Sequence, residues 1–190
     1  MISEPSWQIC IGSDMYLNFM AYLGNLYGVF HVDGKGSWPL RAGEPKNPPV
    51  TSDELLRTWD WMVESKKKRY QKGQPSLPAM LTQDFSEIPD EKLRAACLTH
   101  WDDFLNWWYM PAGGQYALYY WENAPQLHRY VAEYEQSAGR KIRAFSLYID
   151  LVYTGPRIEE SEDGYMLLPL DKQNILHSNW WKDLFTRIEV

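Results

Sequence analysis

Glu122 and Asp150 are the two residues whose types could together do acid–base chemistry. A glycoside hydrolase works with two such carboxyls placed across the bond it breaks. Tryptophan-rich clefts bind sugars, and this chain holds 10 Trp. A strand aspartate paired with a nearby arginine accounts for Asp150 in plainer terms. Two other acidic pairs, Asp102–Asp103 and Glu159–Glu160, are neighbours in sequence. Neighbours on a helix point in different directions, so the first pair makes no dyad by spacing.

Metal chemistry needs His, Cys or carboxylate ligands converging at fixed spacing. His31–Val32–Asp33, and His100 with Asp102 and Asp103, are the short combinations here, and the four histidines (His31, His100, His128, His177) are dispersed. We therefore expect no metal and no cofactor. Gly-x-Ser-x-Gly does not occur, and Gly12, Gly24 and Gly28 do not match a phosphate or dinucleotide loop. Cys10 and Cys97 lie in apolar contexts, as expected of buried, inert thiols in a reducing compartment. No catalytic residue is assigned.

Surface character remains. The net charge is −6 and unevenly spread. Residues 1–83 hold nine Lys/Arg against eight Asp/Glu, and residues 84–190 hold ten against seventeen. The acidic half argues against nucleic-acid binding and suits a basic partner. Plain solubility also explains a mildly acidic chain. Trp61 and Trp107 fall off the apolar stripes of their helices, and Asp102 and Asp103 flank the latter. Tertiary neighbours would bury both rings; the sharper alternative is aromatic anchors beside carboxylates, facing a basic protein. The expected partner-binding set is Trp61, Asp102, Asp103 and Trp107, together with the acidic loop residues Glu159, Glu160, Glu162 and Asp163.

The elements that must position these residues centre on Arg143 to Tyr153. Phe145, Leu147, Ile149, Leu151 and Tyr153 alternate as one buried face of a central strand, stopped by Gly155–Pro156. Trp7 to Ile11 is a second strand, and a helix capped by Ser13 follows it. Gly28 to Val32 reads as a strand ending at Asp33–Gly34, and residues 34–50, with three Gly and four Pro, as a long loop. Thr51 and Glu54 form a capping box that opens a helix with the stripe Leu55, Leu56, Trp59, Met62, Val63 and Tyr70. Its terminal run Lys66–Lys67–Lys68–Arg69 reads as a solvated end favoured by the helix dipole.

Ala79 to Thr82 is a further strand candidate, and a helix opens at Pro89–Asp90–Glu91. Gln115 to Trp121 reads as an aromatic strand, followed by a helix capped by Asn123 and closed by Gly139. An acidic turn precedes the strand Tyr165 to Leu168, and a last helix starts at Ser178. The expectation is one α+β domain over 1–190: a mixed or antiparallel sheet packed by about four to five helices. Neither a leader peptide nor a membrane span is read, so the expected location is cytoplasmic.

Three segments are similar to the immunity-52 family of bacterial polymorphic-toxin systems: Trp7 to Phe30, Gly113 to Trp121, and Trp180–Trp181. The resemblance implies an antitoxin-like cytoplasmic protein. It would bind and block a cognate toxin, usually a nuclease delivered by type VI secretion. A non-enzymatic immunity protein with a basic, nuclease-like partner is therefore the leading expectation. A hydrolase with an aromatic-lined cleft and paired carboxylates, a carbohydrate-active enzyme among the candidates, is the alternative, and an adaptor module the third.

Overall fold

The computed structural model describes residues 7–30, 50–72, 81–111, 114–156, 158–160, 164–170 and 174–188. The fold is α+β. Chain order is β1 (Trp7–Gly12), α1 (Met15–Leu26), α2 (Ser52–Gln71), α3 (Glu91–Trp108), α4 (Gly114–Asn123) and α5 (Leu127–Ala138), followed by β2 (Phe145–Val152), β3 (Ile158–Glu160), β4 (Tyr165–Pro169) and α6 (Ser178–Ile188). A 3-10 turn, Asn174–Leu176, precedes α6.

The strands lie in the order β1-β2-β4-β3. β1 runs parallel to β2, with Trp7 opposite Phe145 and Gly12 opposite Asp150. β2 runs parallel to β4, with Tyr148 opposite Tyr165. The body of the sheet is therefore parallel, which corrects the expectation of a mixed or antiparallel sheet. Antiparallel pairing is confined to the three-residue β3 at the β4 edge. Connectivity permits this: helices α1 to α5 separate β1 from β2, and parallel pairing needs such a long crossover.

As its alternating apolar residues predict, β2 is central, and every residue from Leu147 to Val152 is buried. Its two faces meet different layers. Phe145 packs on Phe185 of α6, and α6 in turn packs on α5 through Tyr134 and Phe185. On the opposite face Tyr148 stacks on Tyr70 of α2 at 4.3 Å. α1 lies innermost among the helices of that side, with Tyr16 to Gly24 all buried. Gly24 is required there because the Phe30 ring sits 2.1 Å from where a Cβ would stand.

Several boundaries follow the sequence. The Thr51–Glu54 capping box forms, Asp90 caps α3, and Gly139 closes α5 in the left-handed conformation. Others are corrected. Asp14, not Ser13, caps α1 by accepting from the Leu17 amide. Gln126, with no side-chain cap bond, stands at the start of α5 in place of Asn123.

The largest correction is α4: residues 115–121 form a helix, not a strand. Leu118 is its buried anchor. Gly114, at φ +52°, lets the helix start against the end of α3, where a Cβ would lie 2.3 Å from the Trp108 carbonyl oxygen. Tertiary docking here overrides the local β-preference of tyrosine. Residues 28–30 form a turn and bend rather than a strand, and residues 81–82 are not a strand. The remaining parts of those two expected strands, and the loop through residue 49, lie outside the described residues.

Candidate functional site

Two regions stand out: a buried charge cluster at the ends of the parallel strands, and an exposed aromatic surface. The cluster is assembled by α2. On its buried stripe, Lys66 comes one turn after Met62–Val63 and one turn before Tyr70, which carries the ammonium inward instead of into solvent. Its Nζ lies 3.1 Å from Asp150 Oδ1 and 3.1 Å from Asp14 Oδ2. The Tyr165 hydroxyl donates to Asp150 Oδ2 at 2.9 Å, and the Tyr70 hydroxyl approaches Oδ1 at 3.4 Å. Asp150 is only 2% exposed.

Burial works against the Lys66 charge, but Asp150 and Asp14 outweigh it and raise the pKa of the ammonium. A lysine held protonated in this way is neither a nucleophile nor a Schiff-base former. Burial raises the pKa of Asp150, while Lys66 acts in the opposite direction. Burial followed by the Asp150 charge also raises the phenols of Tyr70 and Tyr165. Chemically the cluster is a clamp: it ties α2 to β2 and to the cap of α1.

Beside it, the buried Asn18 donates to the Leu151 carbonyl at 3.1 Å and accepts from the Tyr153 amide at 2.8 Å. Ser13 donates to Glu122 Oε1 at 2.5 Å. The two carboxylates considered as a hydrolytic pair thus have different partners: Glu122 has Ser13, and Asp150 has Lys66 and two tyrosines. Cys97 is buried and its thiol is pushed up to about 12. Among the described residues, no group of three or more His, Cys, Asp or Glu is placed to hold a metal.

The expected binding residues are placed as follows. Trp61 is 44% exposed and lines a cavity of about 400 Å³ with Glu54, Arg57, Thr58, Glu87, Ile88, Pro89 and Asp90. Asp102 and Asp103 are exposed on α3. Trp107 is half-buried, packed against Phe104, Trp108 and, edge-on, Tyr153. Glu159 and Glu160 lie in β3, opposite Met166 and Tyr165. Glu162 and Asp163 lie outside the described residues. The carboxylates that accompany Trp61 are therefore Glu54, Glu87 and Asp90, none of which is in the expected binding set.

Sequence reasoning missed the most exposed aromatic set. On α4, Tyr116, Tyr119 and Tyr120 are 61%, 63% and 65% exposed. Their i, i+3, i+4 spacing puts them on one side of the helix. Tyr109 and Met110, where α3 ends, are exposed as well. The missed signal was the helical period of Gly114, Leu118 and Trp121, hidden beneath strand-favouring rings.

No helix among the described residues is long and apolar enough to cross a membrane. Compared with known proteins, the chain matches no family model, no curated protein and no solved structure.

Proposed function

We propose that this protein acts by binding another protein, as an immunity protein that neutralises a basic, nuclease-like toxin in the cytoplasm without bond chemistry of its own. The observation that carries this is the tyrosine face of α4: Tyr116, Tyr119 and Tyr120, each more than three-fifths exposed. Tyrosine offers large, rigid contact area at low entropic cost and supplies a hydroxyl for hydrogen bonding. Monomers rarely leave such a set in water without a use for it. Asp102 and Asp103 stand about two turns before Tyr109 on the adjoining helix and add negative charge nearby. The excess of acids over bases in residues 84–190 suits a partner that must carry cations to hold phosphates.

The test is co-expression with a toxin-like nuclease encoded beside this gene. Cells carrying the wild-type chain are expected to survive. Cells carrying Tyr119→Ala with Tyr120→Ala, a variant expected to melt like wild type, are expected to die. Equal protection by the double variant would remove α4 from the interface. No protection and no binding by the wild type would remove the immunity function.

A further inference from the structure

The Trp61 cavity is far from α4: it opens at the first turn of α3, whereas Tyr109 and α4 adjoin the last. Its walls come from two places. α2 contributes Glu54, Arg57, Thr58 and Trp61, and the segment leading into α3 contributes Glu87, Ile88, Pro89 and Asp90. At about 400 Å³ it lies within the size range of small-ligand pockets. Trp59, two residues before Trp61, is sealed in the core at 1% exposure, so the open indole of Trp61 is not a general property of this helix.

Three carboxylates face one guanidinium in this lining. Local hydrogen bonds fix each of them. Glu54 Oε2 accepts from the Thr51 amide and hydroxyl, Glu87 Oε2 from the Thr82 amide and hydroxyl, and Asp90 Oδ1 from the Leu93 amide. These bonds engage one oxygen of each group and hold the negative charges in place. Asp90, at the cap of α3, and Glu54, in the first turn of α2, also come within hydrogen-bonding reach of each other. With Glu54, Glu87 and Asp90 against the single Arg57, the lining beside the open indole carries an excess of negative charge that suits a cation.

We propose that this cavity receives an arginine side chain of the protein partner. The inference rests on the binding function proposed above. The guanidinium is planar, stacks on an indole face, and can bridge two carboxylates with its forked N–H groups. The exposed Pro89 would line its methylene stem. A compact, strongly hydrated ammonium uses the flat wall less well. Arg57 is the opposing charge in the lining, so its removal should strengthen the site.

The experiment is an NMR titration of the full chain with a capped Gly-Arg-Gly peptide. The matching lysine, citrulline and alanine peptides serve as comparisons. The indole N–H signal of Trp61 is identified by its loss in Trp61→Phe. The arginine peptide should shift that signal with millimolar affinity, and more weakly as salt rises. Lysine should bind about tenfold more weakly, and citrulline and alanine should leave the signal in place. Glu87→Gln and Asp90→Asn, which keep their local acceptors, should each weaken binding several-fold, and Arg57→Ala should tighten it.

An unmoved Trp61 signal, equal shifts from citrulline, or equal affinity for lysine would each overturn the proposal. No partner protein is present in this titration, so its failure removes the cavity and leaves the α4 test standing. Failure of the α4 test, in turn, leaves the peptide affinity measurable.

Discussion

Lys66 Nζ meets Asp150 Oδ1 at 3.1 Å, although the side chains are only 12% and 2% exposed. A buried ion pair of this kind costs a great deal to half-remove, because the remaining charge is stranded. Lys66→Met should therefore lower stability by about 3–5 kcal/mol, measured by urea unfolding. Adding Asp150→Asn should recover part of that loss, since the stranded charge is then gone. Additive losses in the double variant would show that the pair is not coupled.

The same aspartate gives a pH dependence opposite to that of an ordinary salt-bridged carboxylate. Burial raises its folded pKa above the unfolded value. The folded state then binds more protons than the unfolded state between the two values. This term must make stability fall as pH rises from the usual aspartate value, about 3.9, towards the raised one. Asp150→Asn should remove that slope from a plot of Tm against pH. Glu135 acts in the other direction: Lys141 and the Ile142 amide hold its pKa down. Its share is present above the unfolded value and lost as pH falls through the folded one.

Gly24→Ala should cost about 1–3 kcal/mol, because the new methyl group would overlap the Phe30 ring. Phe30 packs edge-on against Trp59 at 5.0 Å, so the ring has little room to withdraw. Adding Phe30→Leu should restore part of the loss, as read by calorimetry. An unchanged Tm for Gly24→Ala alone would mean that the 28–30 turn adjusts freely.

The exposed tyrosines should behave in the opposite way. Tyr119→Ala or Tyr120→Ala should change stability by no more than about 0.5 kcal/mol. Each should cost about 2 kcal/mol of partner affinity if it is an anchor of the contact. The two readings together, Tm and Kd, separate a surface that binds from one that merely faces water.

Reversing charge at Asp102 and Asp103 should act mainly on association. Both are exposed on α3, so their replacement by lysine leaves the core untouched. Stopped-flow mixing should show a slower association rate and a flatter dependence on ionic strength than wild type. An association rate that ignores both charge and salt would remove electrostatic steering.

Much of the scaffold was legible where local chemistry and tertiary role agree. The alternation from Phe145 to Tyr153, the Thr51–Glu54 box and Gly139 each specify their own conformation. α4 was not legible, because its rings favour extended structure and its helix depends on Leu118 and Gly114 docking on α3. Lys66 lies in a run of four cations, and such a run suggests a solvated surface. Its phase told otherwise: Trp59, Met62–Val63, Lys66 and Tyr70 recur every three to four residues on one side. The role of Asn18 is not legible for a related reason: the backbone groups it satisfies come from β2 and the residue after it, far along the chain. The spacing of α2 shows Trp61 off its stripe, yet two of the three acids beside it, Glu87 and Asp90, come from the entry to α3, which no spacing rule links to α2.

The pairing of Trp7 with Phe145 has a kinetic side. More than three-quarters of the sequence, 145 of 190 residues, must be made before β1 can find its neighbour. Non-local ladders of this sort form slowly. On the ribosome, β1 would wait as an unpaired edge while the helices gather, vulnerable to chaperones and to stray strands until β2 emerges. Joining the two strands through a permuted chain should therefore quicken folding far more than it deepens stability.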